Sequence, residues 1–140
     1  KQCKDFAKFL KVRIERDLKE YKGKITEYDV WNEPLHESYT FNTCGWGILD
    51  SAFVWAHRVD PDAKLYINEY NVVAAGETDR YVTLIQGMLK RKVPIHGIGV
   101  QCHFGDRQLN PNFIKQRLDR LGSLGLPIKV TEVARQCKQL

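Results

Sequence analysis

Long apolar runs are missing from this chain of 140 residues. No stretch approaches the roughly 20 consecutive apolar residues that cross a bilayer, so no membrane partner is expected. The polar first five residues do not read as a signal-peptide start, which places any secretion signal outside this sequence. Cys3, Cys44, Cys102 and Cys137 show no CxxC spacing, and no two histidines have metal-ligand spacing, so no metal is expected. Basic residues exceed acidic ones, 22 against 17 for a net charge of +5, yet they are spread over several predicted helix faces. Lys90, Arg91 and Lys92 form the only tight basic run, at a helix end where they complement the dipole. With no basic patch interleaved with aromatics, nucleic acid is not an expected partner. Low-complexity linkers and sequence repeats are also lacking, and 43% hydrophobic with 28% charged residues is the composition of a soluble globular domain. Cys3 and Cys137 stand near opposite ends and could be bridged in an oxidising compartment; buried or free thiols are an equal alternative.

What is present is organised around two short stretches, residues 28–36 (YDVWNEPLH) and 130–133 (VTEV). Each puts a glutamate, Glu33 or Glu132, directly after an apolar run of buried-strand character. That is where a parallel α/β barrel presents its chemistry. Hydrolysis of a glycosidic bond needs two carboxylates, one to protonate the leaving oxygen and one to stabilise or attack the anomeric carbon. Strand ends of a barrel converge, so distance along the chain is no obstacle to that pairing.

Along the chain, Phe6, Leu10, Ile14 and Leu18 recur at every fourth position and predict an amphipathic helix over residues 5–21, ended by Gly23. A strand follows over 25–31, then a loop holding Cys44 and Gly45. Trp46, Leu49, Phe53 and Ala56 predict a second helix, with Trp46 and Trp55 as packing residues, stopped at Asp60 and Pro61. Residues 64–70 read as a strand, 78–91 as a helix and 95–103 as a strand in which Gly97 and Gly99 suit close packing. Asn110 and Pro111 make a cap and first-turn pair for a helix running through Phe113, Ile114, Leu118 and Leu121. Residues 128–133 form the last strand. Strands beginning near 25, 64, 95 and 127 leave room for one crossover helix each, which argues an α/β fold with a parallel sheet.

Four motifs in this order, YDVWNEPLH, KLYINEYN, GIGVQCH and VTEV, resemble the strand-end motifs of glycoside hydrolase family 10, the endo-β-1,4-xylanases. The resemblance covers nearly the whole chain. It implies a parallel (β/α)8 TIM barrel, of which residues 1–140 supply the helix before the fourth strand through the seventh strand, with strands one to three and eight outside. It further implies a secreted retaining enzyme acting on β-1,4-xylan or xylo-oligosaccharides. On the matching positions, Glu33 is the acid/base and Glu132 the nucleophile. Asn32 binds the sugar 2-hydroxyl, Gln101 and His103 form a Gln-x-His in which the histidine holds the nucleophile, and Tyr70 and Asn71 line the active-site side of the barrel. Trp31, beside the acid/base, is a further substrate-binding or orienting candidate, and no cofactor is called for. The chain departs from the pattern at Cys102, usually serine; at Glu69, commonly aspartate; at Trp31, usually aliphatic; and at Ala134, where an aspartate is usual.

Other readings attach to the same residues. The chain could be another retaining β-glycanase, such as a cellulase or mannanase, although Gln101 and His103 argue against it. It could also be a non-catalytic xylan-binding remnant, to which Ala134 and the missing strands lend support. His36, His57 and His96 read as structural or exposed.

Overall fold

The computed structural model describes residues 1–105 and 110–134. Helix α1 (Gln2–Tyr21) leads into strand β1 (Glu27–Asn32), followed by α2 (Ser38–Cys44), α3 (Gly47–Val59), β2 (Lys64–Glu69), α4 (Thr78–Lys90), β3 (Gly97–His103), α5 (Pro111–Gly122) and β4 (Ile128–Ala134). The four strands form one sheet in the order β1-β2-β3-β4, parallel throughout. Each crossover therefore advances by one strand in the same sense. Right-handed crossovers of that kind put every connecting helix on the same side of the sheet.

The core lies between that helix layer and the sheet. Leu65 and Ile67 of β2, Ile98 and Val100 of β3, Phe53 of α3 and Ile85 of α4 are all fully buried there. Burial of such side chains contributes about 1.5–3 kcal/mol each, which is what holds short helices against the strands. Tyr81 of α4 reaches through the layer, its hydroxyl lying 2.8 Å from the Ile67 carbonyl and 3.1 Å from the Gly99 carbonyl. Strand spacing on the opposite face is set by side-chain size. A Cβ on Gly97 would stand 2.0 Å from the Tyr66 ring, and one on Gly99 2.6 Å from Asn68 Oδ1. Both glycines are therefore needed by the large residues of β2 that lie over them, as the close-packing expectation had it.

Two expectations are corrected. The segment read as a loop before Trp46 contains α2, capped by Glu37, whose Oε1 accepts from the Thr40 N–H. Cys3 is joined to Cys44, not to Cys137, with their Cα atoms 5.1 Å apart, so the bridge ties the start of α1 to the end of α2. Helix α2 is only seven residues long and gains its fixed position from that tie and from buried Thr40 and Phe41. Cys137 lies outside the described residues. Cys102 is a buried free thiol, pushed up in pKa by burial. Trp46 sits at the cap of α3, 47% exposed, and packs by stacking on Phe41 of α2 at 4.0 Å. The Asn110 cap is formed as expected, its Oδ1 accepting from the Asn112 N–H, with Pro111 in the first turn.

Candidate active site

Because all strands run one way, Asn32, Glu69, His103 and Ala134 end them along a single rim. Glu33 follows at once from β1. Its N–H donates to the Asn68 carbonyl at 2.8 Å, and its own carbonyl accepts from the His36 and Glu37 N–H groups at 3.1 and 3.2 Å. The turn this closes requires a left-handed backbone at Glu33, φ 57°. A non-glycine residue held there is a local strain that surrounding bonds must enforce.

Register shifts aim the side chains. On β1 the pairing slips between Asp29 and Trp31, so that Asn32 stands opposite Asn68 while Trp31 stands opposite buried Ile67. On β4 it slips after Val100 pairs Val130, and Gln101 then faces Glu132. With strict alternation Glu132 would fall on the helix side with Val130. The extra residue, Thr131, returns it to the open face, the re-aiming that such irregularities produce.

A polar network spans all four strands on this face. Gln101 Nε2 donates to Glu33 Oε1 at 3.0 Å and reaches Asn32 Oδ1 at 3.2 Å. Asn32 Oδ1 also accepts from Asn68 Nδ2 at 2.9 Å, and Asn68 Oδ1 accepts from the Thr131 hydroxyl at 2.7 Å. One residue further along β4, Glu132 Oε2 lies 3.1 Å from His103 Nε2. Thus Glu33 and Glu132 sit on the same rim, each with one hydrogen-bonding partner from β3. Ala134 pairs directly with His103, so a methyl group occupies the position where the resemblance calls for a carboxylate.

Tyr70 follows β2 and stacks on His36 at 3.8 Å; loss of solvent and then the charge of nearby Glu33 raise its hydroxyl pKa. Asn71 takes part through its backbone. It is left-handed at φ 58°, and its carbonyl accepts from the Ala75 and Glu77 N–H groups, turning the chain away from the rim. Trp31 stacks on Phe41 of α2 at 5.3 Å. Its ring thus belongs to the helix side, along a groove of about 570 Å³ lined by Phe6, Leu10, Ile14, Tyr28, Val30 and Trp31.

Four residues of this arrangement were not singled out from sequence as site residues: Asn68, Thr131, Glu69 and His36. Glu69 is wholly buried, and its carboxylate accepts from the Leu35 N–H at 2.8 Å and the Tyr70 N–H at 2.7 Å and pairs with His36 Nδ1 at 3.0 Å. Burial raises its pKa, while those bonds oppose the rise. A signal for Glu69 existed: Leu65, Ile67 and Glu69 share one face of β2, so a carboxylate completes an apolar row. No group of His, Cys, Asp and Glu that could hold a metal ion occurs among the described residues.

A singly wound parallel sheet, helices on one face and two glutamates on the C-terminal rim of the other define part of a (β/α)8 barrel built around a carboxylate pair. The chain belongs to glycosyl hydrolase family 10, whose model matches residues 1–139. It is 35% identical over 131 residues to a β-1,4-xylanase of Dictyoglomus thermophilum, covering 88% of this chain and 37% of that protein. It is 40% identical over 129 residues to endo-1,4-β-xylanase 5-like of Arabidopsis thaliana, covering 86% and 23% respectively. Among solved structures, native xylanase 10B of Thermotoga maritima superposes with a TM-score of 0.86 at 31% identity, over 94% of this chain and 43% of that one. A family 10 structure from Paenibacillus barcinonensis gives 0.88 at 26% identity, over 95% and 43%. The chain therefore spans less than half the length of these relatives and is part of their (β/α)8 barrel.

Proposed function

We propose that this chain supplies the catalytic carboxylates of a retaining endo-β-1,4-xylanase. The observation that carries the reading is the shared rim: Glu33 and Glu132 end two strands of one parallel sheet, with Gln101 hydrogen-bonded to the first and strand-paired with the second. In the first step Glu132 attacks the anomeric carbon while Glu33 protonates the departing sugar oxygen. In the second, Glu33 takes a proton from water as that water displaces Glu132, so the anomeric configuration is retained. Gln101 donates to the Glu33 carboxylate and the bond from His103 fixes the rotamer of Glu132, so both carboxylates are oriented before substrate arrives. No metal or organic cofactor enters these steps. The named xylanase relatives, and a Thermotoga petrophila xylanase 10B solved with xylobiose, support xylan or xylo-oligosaccharides as the substrate class.

Asn32 is assigned to the substrate 2-hydroxyl, on the strength of its place beside Glu33 and its fixing by Asn68 and Gln101. Tyr70 borders the same carboxylate. Secretion is proposed from the Cys3–Cys44 bridge, since disulfides persist in oxidising compartments. Among the described residues no helix is long and apolar enough to cross a membrane.

The test is covalent trapping in the complete protein. A dinitrophenyl 2-deoxy-2-fluoro-β-xylobioside should stop the enzyme and leave the sugar on the peptide carrying Glu132, and Glu132→Gln should lose turnover and labelling together. A label on another residue, or products of inverted configuration, would refute the assignment. Protein that binds xylan without ever turning it over would establish the non-catalytic reading instead.

A further inference from the structure

Resting on that reading, we infer that Glu69, acting through His36 and the Leu35 N–H, is the positioning residue that sets the aim of the proton donor Glu33. The turn that presents Glu33 is held from outside itself at few points. Glu33 N–H is tied to the end of β2, and Gln101 grips one carboxylate oxygen. The far side of the turn, Leu35 and His36, is held by Glu69: one oxygen accepts from the Leu35 N–H, and the other is shared between His36 Nδ1 and the Tyr70 N–H. Tyr70 stacks on the face of the His36 ring while Glu69 holds its edge, closing a clamp.

A charged carboxylate at 0% exposure is costly unless its lone pairs are taken up. Here three donors converge on it, two from the backbone and one from an imidazole. All three belong to segments adjoining the site: the turn carrying Glu33 and the first residue after β2. The left-handed backbone at Glu33 gives the turn a reason to relax, and this clamp opposes it. The bonds of Glu69 go to Leu35, His36 and Tyr70 and not to Glu33 itself, so it acts on the proton donor through the turn.

Replacing Glu69 by Gln keeps its shape but turns one acceptor into a donor facing N–H groups. At least one clamp bond is then lost whichever way the amide points. The experiment compares aryl β-xylobiosides in the complete protein. A phenyl group needs protonation to leave, whereas a 2,4-dinitrophenyl group does not. Glu69→Gln should lower kcat/KM for the phenyl substrate by about 10- to 100-fold while leaving kcat/KM for the dinitrophenyl substrate within about 3-fold. For the dinitrophenyl substrate kcat should fall, because water activation in the second step uses the same displaced Glu33. Should Glu69→Gln not fold, His36→Gln, which alters a partly exposed side chain of the clamp, must show the same split. Equal losses on both substrates, or no loss on either, overturn the inference. If the unaltered protein cleaves neither substrate and traps no fluorosugar, the xylanase reading has failed instead.

Discussion

Gly99→Ala tests the packing that holds the site network together. The new Cβ would lie 2.6 Å from Asn68 Oδ1 and 3.1 Å from Asn68 Cβ and Cγ, so the amide oxygen must retreat by about 0.8 Å to reach ordinary contact. Asn68 is 2% exposed and has no spare room. Its movement stretches the 2.7 Å bond from Thr131 and the 2.9 Å bond to Asn32. Two hydrogen bonds at about 1 kcal/mol each, with overpacking strain of about 1–3 kcal/mol, predict a loss of about 3–5 kcal/mol. That is a large share of the 5–15 kcal/mol typical of a folded domain. Urea unfolding of the complete protein measures it, as a lower midpoint at unchanged slope. The double mutant isolates the cause: in an Asn68→Ala background the extra methyl enters vacated space, and the Gly99→Ala cost should shrink by at least about 1.5 kcal/mol. A cost below about 0.5 kcal/mol for Gly99→Ala alone, or strict additivity in the pair, would refute the reasoning.

Tyr81→Phe should cost about 1–2 kcal/mol by chemical denaturation, since the fully buried hydroxyl serves the Ile67 and Gly99 carbonyls and no water can replace it. Cys44→Ser opens a bridge spanning 41 positions, for which chain entropy predicts a loss of about 4 kcal/mol. Non-reducing peptide mapping of the unaltered protein should recover Cys3 with Cys44, and recovery of Cys3 with Cys137 would contradict the structure. The raised pKa of Glu69 makes the folded state bind its proton more tightly than the unfolded chain does. Its stabilising contribution is therefore complete below the ordinary carboxylate value and is lost as pH rises from about 4 through the elevated folded value. Glu69→Gln removes that component, so the difference between variant and unaltered stability should change over this window, and a constant difference from pH 4 to 7 would argue against it.

The parallel sheet and the polar residues placed on its rim were legible because buried parallel strands are continuous apolar runs, and the residues after them stand out chemically. Glu33 and Glu132 were visible on those terms alone. Helix α2 was not, since seven residues give too few turns to display a period and its cap is a glutamate, outside the usual Ser, Thr, Asp and Asn. Cys44 as the partner of Cys3 could not be read either, because pairing depends on where two helix ends meet. The register shifts near Val30 and Thr131 leave no mark in composition, yet they decide which side of the sheet Asn32, Trp31 and Glu132 occupy. Trp31 illustrates the cost of missing them: next to Asn32 in sequence, it stacks on α2 behind the sheet. Glu69 was noticed only as a departure from a pattern, because what matters is the convergence of the Leu35, His36 and Tyr70 donors, two of them more than thirty positions away.

With Glu33 in the acid/base role proposed for it, its left-handed backbone means that folding and chemistry make opposite demands on one position. Glycine or asparagine would sit there with less conformational penalty, so a sequence optimised for stability alone would discard the carboxylate. Stabilising drift at residue 33 and loss of turnover would then be the same event, and a family member that abandoned hydrolysis would be expected to relax this position early.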